Sequence, residues 1–455
     1  MDQKSKICIL GYGTEGKATL DYLVKHGYGN LTVCDRNIDL QDILPQGVSC
    51  RLGEHYMEDL TDFDVIFRTP GIRYLDPHIQ SAILKGAEVT SAMKYFLKIR
   101  NCKVVGVTGT KGKGTTSTLI FEMLKKKYKS AYLAGNIGSS PLEFVDELTP
   151  DSVVVLEMSS FQLQDLNLSP DIAVFLNTTS DHLDYHADNF EYLAAKENIL
   201  AHQDEDGILV INKDYEYSKY YKPLAKGKIL EVSRKDRVEN GATVHKGNIV
   251  FMKDGEETEI CPVKEMKLIG SHNIENVLPA TSVAMTLGVS VSDVAEVIRS
   301  FSGLPHRLEL VRELKGIRFF NDSFSTTPET SMAAVDSFDE DTVLIAGGWE
   351  KGLNYEDWAV KILTKPNLTC VILIGDIAAK MESALIEAEK KLGDAIGSPT
   401  KILTRKTLEE AVIDGFAQVK KPGVVVMSPA TASFGLFKDY KERGQKFRDI
   451  VNALH

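Results

Sequence analysis

The sequence has 455 residues, of which 43% are hydrophobic and 26% are charged, and its formal net charge is −11. This length exceeds what one hydrophobic core supports, so we expect two or three globular domains. The acidic balance argues against a nucleic-acid partner, and no apolar run approaches the ~20 residues of a membrane helix. Six single cysteines without Cys-x-x-Cys spacing offer no zinc or redox motif and fit a reduced, cytoplasmic protein.

The first predicted element is a short strand at residues 6–10, which runs into a glycine turn at residues 11–16 and then a helix. A second strand at 31–34 ends in Asp35. This order is typical of a dinucleotide-binding unit, in which the glycines let a pyrophosphate approach the backbone and the acid binds a ribose or base edge. NAD(P) and another nucleotide are both compatible with the segment. A third strand at 65–67 leads to a turn that contains Gly71, at the edge where α/β sheets bind ligands.

The central region opens on the strongest pattern of the chain. Valines 104, 105 and 107 predict a buried strand, residues 106–114 a glycine loop, and Thr115 onward a helix. Such a loop cradles phosphates with its backbone N–H groups, and Lys113 can reach the β- and γ-phosphates. The sequence therefore predicts a nucleoside triphosphate site rather than a turn without a ligand. Gly114 stands where Ser or Thr usually holds magnesium, so Thr115 is the first candidate for that hydroxyl and Thr116 the second.

Further apolar strands at 131–133, 153–156 and 172–176 predict a mostly parallel, doubly wound α/β sheet. Asn136, Glu157 and His182 follow these strands. Glu157 can bind Mg²⁺ through an oxygen or can simply be a helix N-terminal acid. The position of His182 at the sheet edge favours a ligand role over that of an ordinary hydrogen-bonding histidine. Lys196 has the pattern of a solvated helix lysine.

The last third begins after a weakly patterned, partly β segment at 213–265 and a helix that follows residues 270–276. The asparagines of that motif could read a base edge or cap the helix. Residues 303–307 mark a domain junction. Beyond it, strands at 319–321, 343–346, 371–374 and 424–427 alternate with helices and predict a further α/β domain.

Taken together, these motifs resemble those of the Mur ligases of peptidoglycan synthesis, and within that family the members that add glutamate. The resemblance covers nearly the whole chain. Its most specific parts are Thr-Gly-Thr-Lys-Gly-Lys, Gly-Asn-Ile-Gly, Glu-Met-Ser-Ser-Phe-Gln-Leu, Asp-His-Leu-Asp-Tyr-His, Ser-His-Asn-Ile-Glu-Asn, His-Arg-Leu-Glu and Ser-Pro-Ala-Thr-Ala-Ser-Phe. It implies a UDP-binding Rossmann-like domain over 1–94, a central P-loop ATPase domain over 95–302, and a Rossmann-like domain for the amino acid and ATP over 303–455.

The implied reaction begins when the terminal carboxylate of UDP-N-acetylmuramoyl-L-alanine attacks the γ-phosphorus of ATP. The amine of glutamate then attacks the resulting acyl phosphate. The resemblance implies two magnesium ions and a CO₂-derived carbamate on Lys196. We expect D-glutamate as the acceptor, and a cytoplasmic monomer that binds small molecules but neither nucleic acid nor membrane.

The resemblance also implies a role for each matched residue. Catalysis is implied for Lys113, His182 and Lys196. The implied ATP contacts are Gly109, Thr110, Lys111, Gly112, Lys113, Gly114, Thr115, Thr116, Asn273, Asn276, Arg307 and Asp322. The implied contacts of the UDP substrate are Gly11, Gly13, Thr14, Glu15, Asp35, Arg36, Gly71, Asn136 and His182. Glutamate is expected at Thr326, Lys351, Ser433 and Tyr440, and metal at Thr115, Glu157, His182 and Lys196.

Two departures from the family pattern keep alternatives open. The Gly-Lys-Gly that ends at Gly114 is similar to that of folylpolyglutamate synthases, although the N-terminal glycine turn favours the Mur interpretation. Phe324 stands where the glutamate-adding members usually have Lys after Asn-Asp-Ser, and this change beside the pocket leaves L-glutamate as an alternative acceptor. A dehydrogenase that uses the N-terminal fingerprint alone is disfavoured.

Overall fold

The computed structural model describes residues 1–178, 188–268, 270–393 and 400–455. The strands of these residues form three separate sheets of five, nine and six strands, and each sheet falls within one of the three predicted segments. The prediction of an α/β protein with mostly parallel sheets is confirmed. The chain divides into two compact units, residues 1–266 with 273–299 and residues 267–272 with 300–455. No described helix has the length and apolar character needed to cross a membrane.

The N-terminal sheet is entirely parallel and has the strand order β3-β2-β1-β4-β5. Its strands are β1 Ile7–Leu10, β2 Leu31–Asp35, β3 Ser49–Leu52, β4 Val65–Arg68 and β5 Glu88–Thr90, and its helices are α1 Thr14–Lys25, α2 Pro77–Leu84 and α3 Ala92–Ile99. The order reverses between β1 and β4, so the glycine turn after β1 and the turn after β4 share one edge, where nucleotides bind in such sheets. β3 and β5 were not predicted, because both are short and carry polar residues.

The central sheet has the order β14-β13-β12-β11-β10-β9-β6-β8-β7. Its strands are β6 Lys103–Thr108, β7 Ala131–Gly135, β8 Val153–Glu157, β9 Ile172–Phe175, β10 Ile208–Asn212, β11 Lys228–Ser233, β12 Gly241–His245, β13 Asn248–Lys253 and β14 Glu256–Pro262. Its helices are α4 Lys113–Leu124, α5 Ser160–Leu163, α6 Asn189–Ala201, α7 Tyr217–Tyr221, α8 Ile274–Thr286 and α9 Val291–Ser300. The weakly patterned segment forms two antiparallel hairpin pairings, β12 with β13 and β13 with β14, that extend the parallel part.

The glycine loop is shorter than predicted. β6 runs through Gly106 to Thr108, and α4 begins at Lys113 rather than at Thr115. Gly106 lies within this strand, and a side chain at its position would lie 2.7 Å from Pro170 and 2.8 Å from Met158. A close approach to neighbouring side chains, and not a turn, requires this glycine. The loop proper is therefore residues 109–112.

The C-terminal sheet has the order β15-β16-β20-β17-β18-β19, and of its pairings β15 with β16 is antiparallel. Its strands are β15 Glu309–Leu314, β16 Ile317–Asn321, β17 Asp341–Gly347, β18 Leu368–Ile374, β19 Lys401–Arg405 and β20 Gly423–Met427. Its helices are α10 Pro328–Val335, α11 Glu356–Thr364, α12 Ala378–Leu392, α13 Leu408–Gln418 and α14 Tyr440–Ala453. Alternate side chains of the inner strands enter two cores, one with α11 and α12 and one with α13 and α14. The sheet is thus covered by helices on both faces, which agrees with the Rossmann-like α/β domain expected for this segment.

Candidate active site

The loop between β6 and α4 has the geometry of a phosphate cradle. Gly109 and Gly112 have φ values of +148° and +85°, and a side chain at Gly112 would lie 2.2 Å from Oδ1 of Asn276. Lys113, the first residue of α4, curls back over the loop and donates hydrogen bonds from Nζ to the carbonyls of Gly109 and Thr110, at 3.0 Å each. The helix N-terminus, the glycines and the ammonium group therefore converge on one concavity suited to an anion.

The two candidate hydroxyls of α4 differ in their surroundings. Thr116 is fully buried and donates to Oδ1 of Asn276 at 3.3 Å, while the amide of Asn276 donates to Oδ1 of Asn273 at 2.9 Å. Thr116, Asn276 and Asn273 thus form a hydrogen-bonded chain that packs against the phosphate loop at Gly112. Thr115 is 8% exposed. The geometry favours Thr115 over Thr116 as the replacement for the missing P-loop hydroxyl.

Glu157 is placed beside the cradle by strand register. It pairs with Val107 of β6 on one side and with Gly135 of β7 on the other. Its side chain is 4% exposed, and Oε1 accepts a 2.8 Å hydrogen bond from the amide of Asn136. The structure therefore brings together the predicted metal ligand and the predicted substrate contact.

A magnesium ion fits this arrangement. Mg²⁺ is usually bound by one or two carboxylates together with water and substrate phosphates, and not by a cage of protein ligands. The described residues contain no group of three or more His, Cys, Asp or Glu that could hold a metal. A single buried carboxylate at Glu157, on the strand that pairs with β6, is compatible with a metal that is shared with a nucleotide.

Lys196 is not the solvated lysine that its helix pattern predicts. It is 1% exposed, and its Nζ donates to the carbonyl of Gly109 at 2.9 Å and to Oγ1 of Thr108 at 3.4 Å. The same ammonium lies 4.7 Å from the ring centre of Tyr192. Lys196 of α6 thus places its side-chain amine at the start of the phosphate loop. His182 lies outside the described residues.

The glycines predicted to contact the diphosphate fall into two groups: some are required by close packing, and others face open space. A side chain at Gly11 would lie 2.1 Å from Oγ1 of Thr69, and one at Gly16 would lie 2.0 Å from the carbonyl of Gly11. By contrast, a β-carbon built at Gly13 or Gly71 would have no heavy atom of the described residues within 4 Å apart from those of its chain neighbours. These two positions are therefore where a diphosphate could approach the backbone.

Asp35, the last residue of β2, is already hydrogen-bonded to the backbone around it. Oδ2 of Asp35 accepts from the backbone N–H of Tyr12 at 2.6 Å, and Oδ1 accepts from that of Asn37 at 2.7 Å. Arg36 and Thr14 are exposed beside it. Asp35 shapes the turn, and the exposed side chains around it are available to a ligand.

In the second unit, Asp322 follows β16 and is 6% exposed. Oδ2 accepts from the hydroxyls of Ser325 and Ser428 at 2.5 and 2.7 Å, and Oδ1 accepts from the backbone N–H of Leu308 at 3.1 Å. Burial raises the pKa of Asp322 to about 6, although the serine hydrogen bonds and the charge of Arg307 act in the opposite direction. Asp322 is a fixed acceptor at the carboxyl edge of the sheet.

Three polar segments that follow β16, β17 and β20 lie together at this edge. The N–H of Ala430 donates to the carbonyl of Ser325 at 3.1 Å, and the N–H of Trp349 donates to that of Ala432 at 2.9 Å. These segments carry the predicted glutamate contacts Thr326, which is half-buried, Lys351, which is exposed, and Ser433, which is buried. Tyr440 begins α14 and is half-buried.

The chain matches the family described as the Mur ligase middle domain over residues 107–284 and the Mur ligase MurD-like N-terminal domain over residues 5–91. It is 38% identical to the UDP-N-acetylmuramoylalanine–D-glutamate ligase of Acetivibrio thermocellus, with 99% of this chain and 97% of the relative covered. It is 36% identical to the ligase of the same name from Clostridium kluyveri, with the same coverage. The chain belongs to the Mur ligase family. Among solved structures, the MurF ligase of Thermotoga maritima in complex with ADP superposes with a TM-score of 0.59 at 18% identity and covers 97% of this chain and 93% of its own.

The sequence did not reveal the charged cluster that connects the first two sheets of this Mur ligase. Arg68, at the end of β4, forms a fully buried ion pair with Asp165, Nη2 to Oδ1, at 2.7 Å. It also donates to the carbonyls of Ile72 at 2.7 Å and Phe161 at 2.9 Å. The only sequence signal is a charged residue that ends an apolar strand. Arg68 fixes the turn that carries Gly71 against the segment that follows Glu157.

Glu15 belongs to the same cluster. Its Oε1 accepts a hydrogen bond from the amide of Gln162, and its Oε2 is buried without a hydrogen-bond partner among the described residues. Burial raises the pKa of Glu15 to about 7, against the lowering effects of Gln162 and Arg68, and nearby Asp165 raises it further. The carboxylate is turned away from solvent, so the predicted diphosphate contact at Glu15 would have to be made by its backbone N–H.

We expect the substitution Glu15→Gln to stabilise the Mur ligase at pH 8 and to have little effect near pH 4.5. A carboxyl whose pKa is raised in the folded state favours folding at low pH, and this contribution is lost as the pH rises through about 7. The pKa difference corresponds to about 3 kcal/mol at pH 8. Thermal melts of both proteins at the two pH values measure the effect.

The matched control is the exposed Glu54→Gln, which should leave the melting temperature unchanged at both pH values. A Glu15→Gln protein that melts below the wild type at pH 8 would show that the carboxylate charge is needed in the folded state.

Arg443 is a second buried cation without an assigned role. It donates to the hydroxyl and carbonyl of Ser323, at 3.0 and 2.9 Å, and to the carbonyl of Thr431 at 3.2 Å. Burial lowers its pKa to about 9. A side chain at the next residue, Gly444, would lie 2.1 Å from Nδ1 of His306. The Arg-Gly pair of α14 thus holds together the segments that follow β16 and β20.

Proposed function

We propose that this Mur ligase joins D-glutamate to UDP-N-acetylmuramoyl-L-alanine at the expense of ATP. The observation that carries the proposal is the phosphate loop closed by Lys113 and flanked by Glu157, in a chain that aligns over 99% of its length with D-glutamate ligases. We also propose that the enzyme acts in the cytoplasm as a monomer.

The first step brings two anions together, the carboxylate of the UDP substrate and the γ-phosphate of ATP. Lys113 and the N-terminus of α4 supply positive potential where charge develops on the phosphoryl oxygens, together with the N–H groups of the loop other than that of Thr110, which donates to the carbonyl of Asn177 at 2.8 Å. The carboxylate oxygen forms a bond to phosphorus as the bond to ADP breaks, which gives an acyl phosphate. The diphosphate of the UDP substrate binds at Gly13 in the N-terminal glycine turn and at Gly71 in the turn after β4, with Thr14 and Arg36 nearby.

Mur ligases use ATP and Mg²⁺. Glu157 and Thr115 would hold a magnesium ion, which when bound neutralises phosphate charge. A second ion is proposed at His182 and Lys196, with Lys196 as a CO₂-derived carbamate that turns an amine into an oxygen ligand. The burial of Lys196 against Gly109 supports this role, because it places the side chain at the phosphate loop.

In the second step the amine of glutamate attacks the acyl carbon and phosphate leaves. Lys351, Thr326 and Ser433 provide one ammonium and two hydroxyl groups for the side-chain carboxylate, and Tyr440 flanks them. Arg307 and Asp322 serve the nucleotide, as do Asn273 and Asn276 through their support of the phosphate loop.

The proposal predicts that phosphate is released from ATP only when both UDP-N-acetylmuramoyl-L-alanine and glutamate are present. We expect kcat/KM for D-glutamate to exceed that for L-glutamate by more than ~10²-fold, because the wrong hand leaves buried polar groups unpaired. Parallel assays with the two enantiomers measure this ratio.

A clear preference for L-glutamate would overturn the assignment of the acceptor. Phosphate release with a reduced folate in place of the UDP substrate would instead identify a folate-type ligase.

A further inference from the structure

The loop that carries Arg307 is held in a strained conformation. His306 and Leu308, on either side of Arg307, have φ values of +65° and +45°, in the left-handed region that side chains disfavour. Such strain persists only where the surroundings fix it, and it is found at functional sites.

Two hydrogen bonds fasten this loop to the segment after β16. The N–H of Phe324 donates to the carbonyl of His306 at 2.9 Å, and the N–H of Leu308 donates to Oδ1 of Asp322 at 3.1 Å. These bonds flank Arg307 on both sides. The backbone of Arg307 is therefore fixed relative to Asp322 and Phe324.

The side chain of Arg307 is held by an aromatic face. Its guanidinium carbon lies 3.7 Å from the ring centre of Phe324, within the range of a cation–π contact. The other side of the arrangement is braced by Tyr440, whose ring meets that of Phe324 edge-on at 5.1 Å and that of His306 edge-on at 6.1 Å. Phe324 is 39% exposed, so part of its ring remains open to solvent.

This geometry indicates a function for Phe324, the residue that departs from the family pattern. Phe324 touches Arg307, which we assign to the nucleotide, and Tyr440, which we assign to the glutamate pocket. We propose that Phe324 is a positioning residue that holds the Arg307 guanidinium for the nucleotide and couples it, through Tyr440, to the amino-acid pocket. The inference rests on the proposed function for the identity of the two ligands.

The test uses the full chain and the substitution Phe324→Leu, with Phe324→Tyr as the conservative variant. We expect Phe324→Leu to raise the Kd of a magnesium complex of non-hydrolysable ATP about 5- to 20-fold, which lies within the roughly 2- to 30-fold effect of one cation–π contact. KM for ATP should rise similarly and KM for glutamate several-fold, while kcat at saturation falls less than about 3-fold. Phe324→Tyr should keep the nucleotide Kd, KM for ATP and KM for glutamate at their wild-type values, because the aromatic face is kept.

A double-mutant cycle separates positioning from packing. In an Arg307→Lys background, Phe324→Leu should change the nucleotide Kd less than 2-fold, because the planar group that stacks on the ring is gone. Tyr220→Leu, which removes a surface aromatic that is 66% exposed, is the matched control and should have no effect. Equal effects of Phe324→Leu in both backgrounds, or an unchanged Kd in the wild-type background, would overturn the proposal.

The binding cycle needs no UDP substrate or glutamate. If the wild type fails to release phosphate with those substrates but shows the Arg307–Phe324 coupling, the proposed reaction fails and the positioning role stands. The melting temperatures of all variants are measured to check that each one is folded. If Phe324→Leu is unfolded, the comparison between Phe324→Tyr, expected at the wild-type Kd, and Phe324→Met decides the question, and a Met variant with the wild-type Kd would contradict the proposal.

Discussion

Replacement of Lys113 by alanine should lower kcat by about 10³-fold, the effect of removing one preorganised donor from a developing oxyanion. Lys113 is the cation that closes the phosphate loop, where its Nζ meets the carbonyls of Gly109 and Thr110. Without it, the γ-phosphate loses the charge that offsets the approach of the substrate carboxylate. Substrate-dependent phosphate release measures this loss.

The same variant should bind the UDP substrate with nearly unchanged affinity, because the N-terminal glycine turn belongs to a different sheet from the phosphate loop. Calorimetric titration with the UDP substrate tests this part. Lys125→Ala, near the other end of α4, removes a half-exposed lysine that pairs with Glu122 and serves as the control. A parallel loss of UDP-substrate affinity in Lys113→Ala would contradict the separation of the two nucleotide sites.

Lys196→Ala should abolish most activity, and excess bicarbonate should not restore it. The side chain is buried against Gly109 and the ring of Tyr192, so its removal takes away both the proposed carbamate and the amine at the phosphate loop. Short-chain carboxylates such as acetate should partly restore activity, because their oxygens can take the place of the carbamate oxygens. Phosphate release with and without added carboxylate measures the rescue.

Loss of packing must be distinguished from loss of chemistry, since a buried side chain is deleted. Lys196→Met fills the same space without an amine, and it should melt close to the wild type yet remain as inactive as the alanine variant. Full activity in Lys196→Met would remove any chemical role from this position.

The sequence predicts those parts of the fold and of the candidate site whose residues are close together in the chain. The phosphate loop was predictable because its glycines, lysine and flanking strand and helix are contiguous, although the helix begins two residues earlier than expected. Glu157 and Asn136 were placed at strand ends by the sequence, and strand register brings them together.

The contacts that the sequence could not reveal join residues far apart in the chain. Arg68 finds Asp165 across 97 positions, and Arg443 finds Ser323 across 120. No periodicity or spacing encodes such pairs, because they depend on how two elements pack. The burial of Lys196 is similar, since the pattern of α6 shows an ordinary helix and only the packed structure shows which face is covered.

The central sheet ends at β14, whose outer edge has no neighbouring strand in the described sheet. Glutamates occupy positions 256, 257 and 259 of this strand, and all three are exposed. Two copies of the protein that met edge to edge would bring rows of like charge within a few ångströms of each other, which opposes the backbone pairing that builds aggregates. Glu257 is paired with Arg237 and His245, so the carboxylates of Glu256 and Glu259 are the ones that most disfavour edge-to-edge pairing of two copies at β14.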